Sequence, residues 1–296
     1  MTAAAAAHRA GVVALLGLPN AGKSTLLNRL VGERLAIVTH KPQTTRSRIL
    51  GIVTRPGAQL LLLDTPGVHR GKGALHEAMQ KAVDEALGDC DVACLLVDLA
   101  RGWEPAHDLL RQRLEAAGKP WILVGTKADL AAAEKRAWPP AEAGAPAAAL
   151  RVAADRGQGT GALLDALVAR VPESPPYYPE DELTDRPLRF LAAELVREAA
   201  FQELAEELPY ELAVEVEEFD ESRADLVRIR ANILVRRASQ KGMVIGAGGH
   251  QIKDIGTRAR HNIEKLLGQR VHLELWVKVD PAWLEKRRRL SSLGYF

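Results

Sequence analysis

Cysteine is nearly absent from this chain. Its 296 residues hold two, Cys90 and Cys94, both inside Asp89-Cys90-Asp91-Val92-Ala93-Cys94-Leu95-Leu96-Val97. Two thiols so close give no disulfide framework, and with no His or Cys cluster beside them no zinc site. Reduced core residues of a strand and its lead-in are expected. Aromatic residues are scarce at 4%, so aliphatic side chains must fill most of the interior. No apolar run reaches the roughly 20 residues of a membrane span. The opening Met1-Thr2, the short alanine run and His8-Arg9 lack both the basic start and the long apolar stretch of a secretory signal. These absences lead to the expectation of a cytoplasmic protein. The rest of the composition, 47% hydrophobic and 26% charged, suits a globular chain long enough for two domains.

Charge is balanced overall but not locally. From Arg228 onward there are 15 Lys and Arg against 5 Asp and Glu, a surplus of ten. The whole chain nets +2, so the residues before Arg228 net −8. A basic stretch from Arg228 onward is the electrostatic footprint of a nucleic acid or an anionic membrane surface. Without further motifs it is equally a solvated face.

Gly17-Leu18-Pro19-Asn20-Ala21-Gly22-Lys23-Ser24 reads G-x-x-x-x-G-K-S, a phosphate-binding loop. The unbroken apolar run Gly11 to Leu16 before it predicts a buried parallel strand. The spacing after it predicts a helix over Ser24 to Val31. Glycines let backbone N–H groups converge on phosphate oxygens, and the helix N-terminus adds a favourable dipole. Lys23 would reach the terminal phosphates and Ser24 would place its hydroxyl on Mg2+.

Strand-like runs then alternate with helical stretches to about Val171. Gln59 to Leu63, Val92 to Val97, Trp121 to Gly125 and a shorter Leu150 to Val152 read as strands. Ala74 to Leu87 and Ala106 to Ala117 read as helices. This alternation predicts an α/β domain with a mostly parallel sheet, whose ligands bind at the strand C-termini. Asp64-Thr65-Pro66-Gly67 follows one such strand. Asp64 would approach Mg2+ through a water, and Gly67 would offer its N–H to a γ-phosphate. In His40-Lys41-Pro42-Gln43-Thr44-Thr45-Arg46-Ser47-Arg48 one of the two threonines would complete the metal shell.

Thr126-Lys127-Ala128-Asp129 follows another strand and is similar to N-K-x-D, the base-reading motif. The two oxygens of Asp129 can accept both N1–H and the 2-amino group of guanine. Adenine has no such donor pair, so GTP is favoured over ATP. Lys127 would lay its stem over the base. Thr126 stands where that motif has Asn: it keeps a hydroxyl and lacks the amide. Ala154, in Ala153-Ala154-Asp155-Arg156-Gly157, occupies the place of an S-A-x-x-G loop and would give a backbone N–H to the base carbonyl.

Val171 to Glu182 carries Pro172, Pro175, Pro176 and Pro179 without periodicity and reads as a stiff connector. Beyond it the pattern predicts a helix from Arg189 to about Leu208. Strands at Tyr210 to Phe219 and Leu226 to Val235 follow, then a short helix or turn at Ala238 to Ile245. A helix over His250 to Leu267 and a strand at Val271 to Val279 complete it. Between the last two helices lies Gly246-Ala247-Gly248-Gly249. A tight glycine loop lets a sugar–phosphate backbone pack against it while an adjacent groove takes about four unstacked bases. Lys241, Ile245, Gly246, Ala247, Gly248, Gly249, Lys253 and Arg258 are the candidate RNA-binding residues, with Arg260 nearby.

The ordered set of P-loop, T-T-R, D-T-P-G and T-K-x-D resembles the translation-factor-related GTPases, and among them the Era-like group. The second half, with V-I-G-x-x-G-x-x-I at Val244 to Ile252, resembles a KH domain of the prokaryotic topology. The resemblance covers nearly the whole chain. It implies a P-loop GTPase domain over 1–172, a linker over 173–187 and a smaller α+β KH domain over 188–296. It also implies GTP, GDP and Mg2+ as ligands and Thr45 as the metal-side threonine. Ser24, Thr45 and Asp64 would surround the metal; Lys23, Thr45 and Gly67 would act in hydrolysis. Gly17, Leu18, Pro19, Asn20, Ala21, Gly22, Thr65, Pro66, Val68, Lys127, Ala128 and Asp129 would line the nucleotide. Val68 follows D-T-P-G where Ras-type enzymes have a water-orienting Gln, and cannot orient water by hydrogen bonding. Backbone groups, K+ held through Asn20, or a partner would do so instead. The resemblance further implies binding near the 3′ end of small-subunit ribosomal RNA, a role in small-subunit assembly, and loose attachment of a monomer to the cytoplasmic face of the membrane.

Three other readings stay open on the residues. A P-loop ATPase is opposed by Asp129. An RNA-binding adapter that uses GTP structurally, with little hydrolysis, is kept open by the missing Gln. A membrane-surface protein would use the basic tail from Arg228 onward.

Overall fold

A computed structural model describes residues 7–41, 44–68 and 73–295. The alanine run before residue 7, and Pro42 and Gln43 of the threonine segment, lie outside the described residues. By contact the described residues divide into two units. The first comprises those within Met1–Ala36, Thr45–Gly71 and Met79–Asp185; the second those within Ile37–Thr44, Lys72–Ala78 and Arg186–Phe296.

The first unit is built on a six-stranded sheet. Its strands are β1 (Arg9–Gly17), β2 (Ile49–Arg55), β3 (Ala58–Asp64), β4 (Val92–Asp98), β5 (Trp121–Thr126) and β6 (Ala148–Arg151), in the order β2-β3-β1-β4-β5-β6. All neighbours are parallel except β2, which forms an antiparallel hairpin with β3 across Pro56-Gly57. The helices are α1 (Lys23–Val31), α2 (Ala74–Asp89), which belongs to this unit from Met79 onward, α3 (Pro105–Ala117), the single turn α4 (Ala131–Glu134) and α5 (Thr160–Val168). Strands β3, β4 and β5 are buried at every position, which is why they read as continuous apolar runs. Leu16, Leu61, Leu95, Leu123, Leu110 and Leu114 are at the centre of this aliphatic core. Cys90 and Cys94 are buried free thiols, and burial pushes that of Cys94 up to about 12.

β2 was not foreseen. Ile49-Leu50-Gly51-Ile52-Val53 is as apolar as its neighbours, and Pro56-Gly57 is a turn signal. The proline-rich stretch after Val171 is tied to this unit. Tyr177 and Tyr178 donate backbone N–H groups to Gln59 Oε1 at 2.8 and 3.0 Å. Leu183 accepts from Ile52 N at 2.8 Å, and Thr184 Oγ1 donates to the Leu50 carbonyl at 2.6 Å.

The second unit contains α6 (Leu188–Glu203), β7 (Leu212–Arg223), β8 (Leu226–Val235), α7 (Ala238–Ile245), α8 (His250–Leu267), β9 (Arg270–Val279) and α9 (Arg287–Ser292). Its sheet has the order β7-β8-β9, antiparallel then parallel. Ile255, Ala259 and Ile263, four residues apart on α8, are buried and pack with Val196, Ala199, Ile229 and Ile233. α6 stops five residues short of the expected Leu208: Leu204 is already extended. Leu204 and Leu208 still enter the core, so the apolar period outlasts the helix. α9 was also not foreseen. Leu290 and Leu293 join Trp283, Tyr295 and Leu234 in a separate cluster.

Among the described residues no helix is long and apolar enough to cross a membrane.

Candidate functional site

The phosphate loop leaves β1 at Gly17 and enters α1 at Lys23. Asn20 is exposed and takes a positive φ of 62°, a conformation that Asn tolerates better than most residues. Lys23 is buried. Its Nζ donates to the carbonyls of Gly17 and Leu18 at 3.1 and 3.0 Å. Burial pulls the Lys23 ammonium down to about 8, against the opposing charge of Asp64. Burial pushes Asp64 above the usual carboxylate range, opposed by Lys23 and by hydrogen bonds from Ser24 and Thr45.

Three oxygens converge beside this loop. Ser24 Oγ donates to Asp64 Oδ2 at 2.7 Å and lies 2.9 Å from Thr45 Oγ1. Thr45 Oγ1 donates to the same Oδ2 at 3.3 Å. Asp64 Oδ1 is buried with no hydrogen-bond partner. Hydroxyl and carboxylate oxygens around a buried orphan acceptor suit a small hard cation such as Mg2+.

The segment after β3 rests on the phosphate loop. Thr65 Oγ1 donates to the Leu15 carbonyl at 2.7 Å, and Val68 N donates to the Gly17 carbonyl at 3.2 Å. A Cβ on Gly67 would stand 2.7 Å from the backbone N and Cα of Pro19. Only glycine lets the chain pass so close. Val68 packs its side chain against the aliphatic core, as an apolar residue at that position should.

The T-K-x-D segment leaves the end of β5. Thr126 is buried, and its hydroxyl reaches the Ala21 carbonyl at 2.8 Å and the Val97 carbonyl at 3.2 Å. The missing amide therefore does not unmoor this loop. Lys127 has a positive φ of 55°, a strained state for a long side chain, and its Nζ pairs with Asp98 Oδ2 at 2.7 Å. Asp129, largely buried, meets Arg156 at 3.3 Å. Ala128 N donates to the Val152 carbonyl at 3.2 Å, which brings the base segment against the loop of Ala154.

Asp98 and Arg156 were not singled out from sequence. Asp98 ends an apolar strand, the same signal that marked Asp64. Nothing local marks Arg156.

In the second unit Gly246 has φ 73° and ψ 172°, open to glycine alone, and a Cβ there would meet Gln251 Cβ at 2.6 Å. Ala247 and Gly248 are exposed, Gly249 less so, and Ile245 is half-buried. Lys241 and Lys253 extend into solvent. Arg258 is instead paired with Glu203, Nε to Oε1 at 2.7 Å, and Arg260 with Glu264 at 2.9 Å.

Residues 12–127 match the family model of 50S ribosome-binding GTPases, and residues 207–284 that of KH domains. Over 293 residues the chain is 45% identical to the GTPase Era of Xanthomonas campestris pv. campestris strain B100, covering 97% of this chain and 98% of that one. It is 42% identical over 308 residues to the GTPase Era of Nitratidesulfovibrio vulgaris strain DP4, with 97% of each covered. Two solved structures superpose with TM-scores of 0.88 at 35% identity, covering 97% of this chain and 99% of each. One is a variant of Aquifex aeolicus Era bound to GDP and AlF4−. The other is Era in complex with MgGDPNP and nucleotides 1506–1542 of 16S ribosomal RNA.

Proposed function

The chain belongs to the Era family of GTPases, and from that premise we propose that it is a GTP-driven switch that binds small-subunit ribosomal RNA near its 3′ end and acts in assembly of that subunit. The functional modules are 1–172 for the nucleotide, 173–187 as connector and 188–296 for RNA. The observation that carries the nucleotide half is the triangle of Ser24, Thr45 and Asp64 oxygens beside the phosphate loop. Mg2+ held there would neutralise charge on the phosphates.

Each residue then has a role. Backbone groups from Gly17 to Gly22 cradle the phosphates. Lys23 exchanges its two loop carbonyls for phosphate oxygens. Ser24 and Thr45 offer hydroxyls to the metal and Asp64 holds its water shell. The Gly67 N–H senses the γ-phosphate, with Thr65 and Pro66 fixing its approach. Asp129 reads guanine, Lys127 covers the base, and Ala154 offers its N–H to the base carbonyl. Val68 faces the core, so the attacking water is aimed by backbone groups or by K+ coordinated through Asn20. Equal turnover in Na+ and K+ would remove the K+ role.

The basic G-x-x-G unit supplies the target. Lys241, Lys253 and Arg258 meet phosphates while Ile245, Gly246, Ala247, Gly248 and Gly249 line the strand's path. Relatives of this family include one solved with MgGDPNP and a 16S ribosomal RNA fragment, which supports the reading. Attachment to the cytoplasmic face of a membrane would rest on surface charge alone.

The decisive experiment titrates GTP, GDP and ATP with and without a short single strand of the 16S ribosomal RNA 3′ end. Guanine nucleotides should bind and ATP should not, and RNA affinity should differ between the GTP-analogue and GDP forms. Equal RNA affinity in both forms would overturn the switch. A chain that binds GTP and RNA without measurable hydrolysis would establish the adapter.

A further inference from the structure

The carboxylate assigned to guanine already has a partner within its own unit. Arg156 Nε lies 3.3 Å from Asp129 Oδ2. The Asp129 side chain is 19% exposed and that of Arg156 64%, so a solvent-exposed cation reaches a carboxylate with little open surface. The turn that carries Arg156 is itself fixed. Ala153 and Gln158 form a bridge. Arg156 N donates to the Ala153 carbonyl at 3.1 Å, and Gly157 N to the Ala154 carbonyl at 3.1 Å. Gly157 has a φ of 69°, a conformation that favours glycine. The guanidinium of Arg29 from α1 rests against it: a Cβ on Gly157 would stand 2.1 Å from Arg29 Nη2. Arg156 can therefore leave Asp129 by turning its own side chain, while Ala154 and the rest of the turn stay in place.

The guanine edge that Asp129 would accept is itself a guanidine. N1–H and the 2-amino group sit on one carbon, the donor pattern of an arginine side chain. Guanine and Arg156 thus seek the same two oxygens with the same chemistry. A carboxylate with so little open surface has no room for both donor arrays side by side. Adenine offers no such edge, so its binding does not require Asp129 to be released.

We propose that Arg156 is a specificity-determining residue: it competes with guanine for the Asp129 carboxylate and so holds down the affinity for guanine nucleotides. The inference rests on the reading of Asp129 as the guanine-binding carboxylate. Only the fraction of molecules with Asp129 released accepts the base, and the apparent affinity falls by that fraction. The pair is partly exposed, so its strength is modest and salt screens it.

The test uses the full chain, the variants R156Q, R156A and D129A, and the double variant of D129A with R156Q. Affinities and association rates for GDP and ADP are measured with Mg2+ at low salt and at about 0.5 M salt, together with the thermal midpoint. R156Q and R156A should each bind GDP about threefold tighter at low salt, the scale of one exposed ion pair. The gain should lie in the association rate, because what is removed is a competitor for the free site. ADP affinity should not change, so the preference for guanine rises by the same factor. High salt should shrink the difference between parent and variants. D129A should lose the preference for GDP, and R156Q should add nothing in that background. Two substitutions at an exposed position guard against one that fails to fold. Parental or weaker GDP affinity in the single Arg156 variants, or an equal gain for ADP, would overturn the proposal and leave Asp129 as the reader. A D129A chain that still prefers GDP to ADP would overturn the reading of Asp129 and the proposal with it.

Discussion

Thr126 donates its hydroxyl to the carbonyl of Ala21, 2.8 Å away and 105 residues earlier in the chain. One side chain thereby ties the proposed base-reading segment to the phosphate loop, and its contact with the Val97 carbonyl ties both to β4. Thr126→Val leaves two buried carbonyls without that donor, a cost on the order of 1–3 kcal/mol. GDP affinity should fall by about tenfold, while Thr126→Ser should stay close to the parent. Fluorescent-nucleotide titration distinguishes them; a Val variant with parental affinity would show that the tie is idle.

With Lys23 in its proposed role, nucleotide binding should depend on pH. Its ammonium sits at about 8 because burial disfavours the charge, and phosphates restore the charged form. Binding near pH 8 should therefore take up a proton, and affinity should fall as pH rises above about 8. For the empty fold the sign is opposite. Between about 8 and the ordinary 10.5 the unfolded chain binds more protons at this residue than the folded one, so the Lys23 contribution to stability rises with pH. Calorimetry in two buffers of different ionisation enthalpy reads the uptake directly. Equal heats near pH 8 would contradict it.

Gly67→Ala should act through sterics. The new methyl would stand 2.7 Å from Pro19 N and Cα, and neither backbone can yield without moving the phosphate loop. We expect a lower melting temperature, by about 1–3 kcal/mol equivalent, and loss of GTP affinity exceeding that for GDP. Parental melting would show that the loop gives way freely.

Arg258 is not idle before RNA arrives, because Glu203 holds it at 2.7 Å. Glu203→Gln releases the arginine for a phosphate. Affinity for a short single-stranded RNA should rise about threefold at low salt, and the slope of log affinity against log salt should steepen by roughly 0.7. Arg258→Gln should shift both the other way. An unchanged salt slope in the Glu203 variant would place Arg258 outside the RNA path.

Legibility from sequence divided along a physical line. Gly17 to Ser24 and Asp64 to Gly67 were readable because backbone approach and the strand-end position dictate the residue types. β2 is apolar and ends at the Pro56-Gly57 turn, but it pairs antiparallel with β3 in a hairpin, outside the strand–helix alternation that marks the other strands. The end of α6 was overrun because Leu204 and Leu208 enter the core after the helix has stopped. Pairings such as Thr126 with Ala21, Lys127 with Asp98 and Arg197 with Thr44 join residues 29 to 153 positions apart. No local pattern encodes them; only the fold brings them together.

The strap from Tyr177 to Thr184 has a consequence for behaviour in a crowded solution. β2 is the outermost strand at its end of the sheet, and an outermost strand offers unpaired backbone groups to any extended chain. Here the Ile52 N–H and the Leu50 carbonyl are already engaged by Leu183 and Thr184. The protein thus caps its own template for sheet growth with the same residues that lead to its second half. A protease cut within 177–184 would not only part the two halves. It would uncover a sticky edge on an aliphatic sheet, turning a severed connector into a seed for self-association.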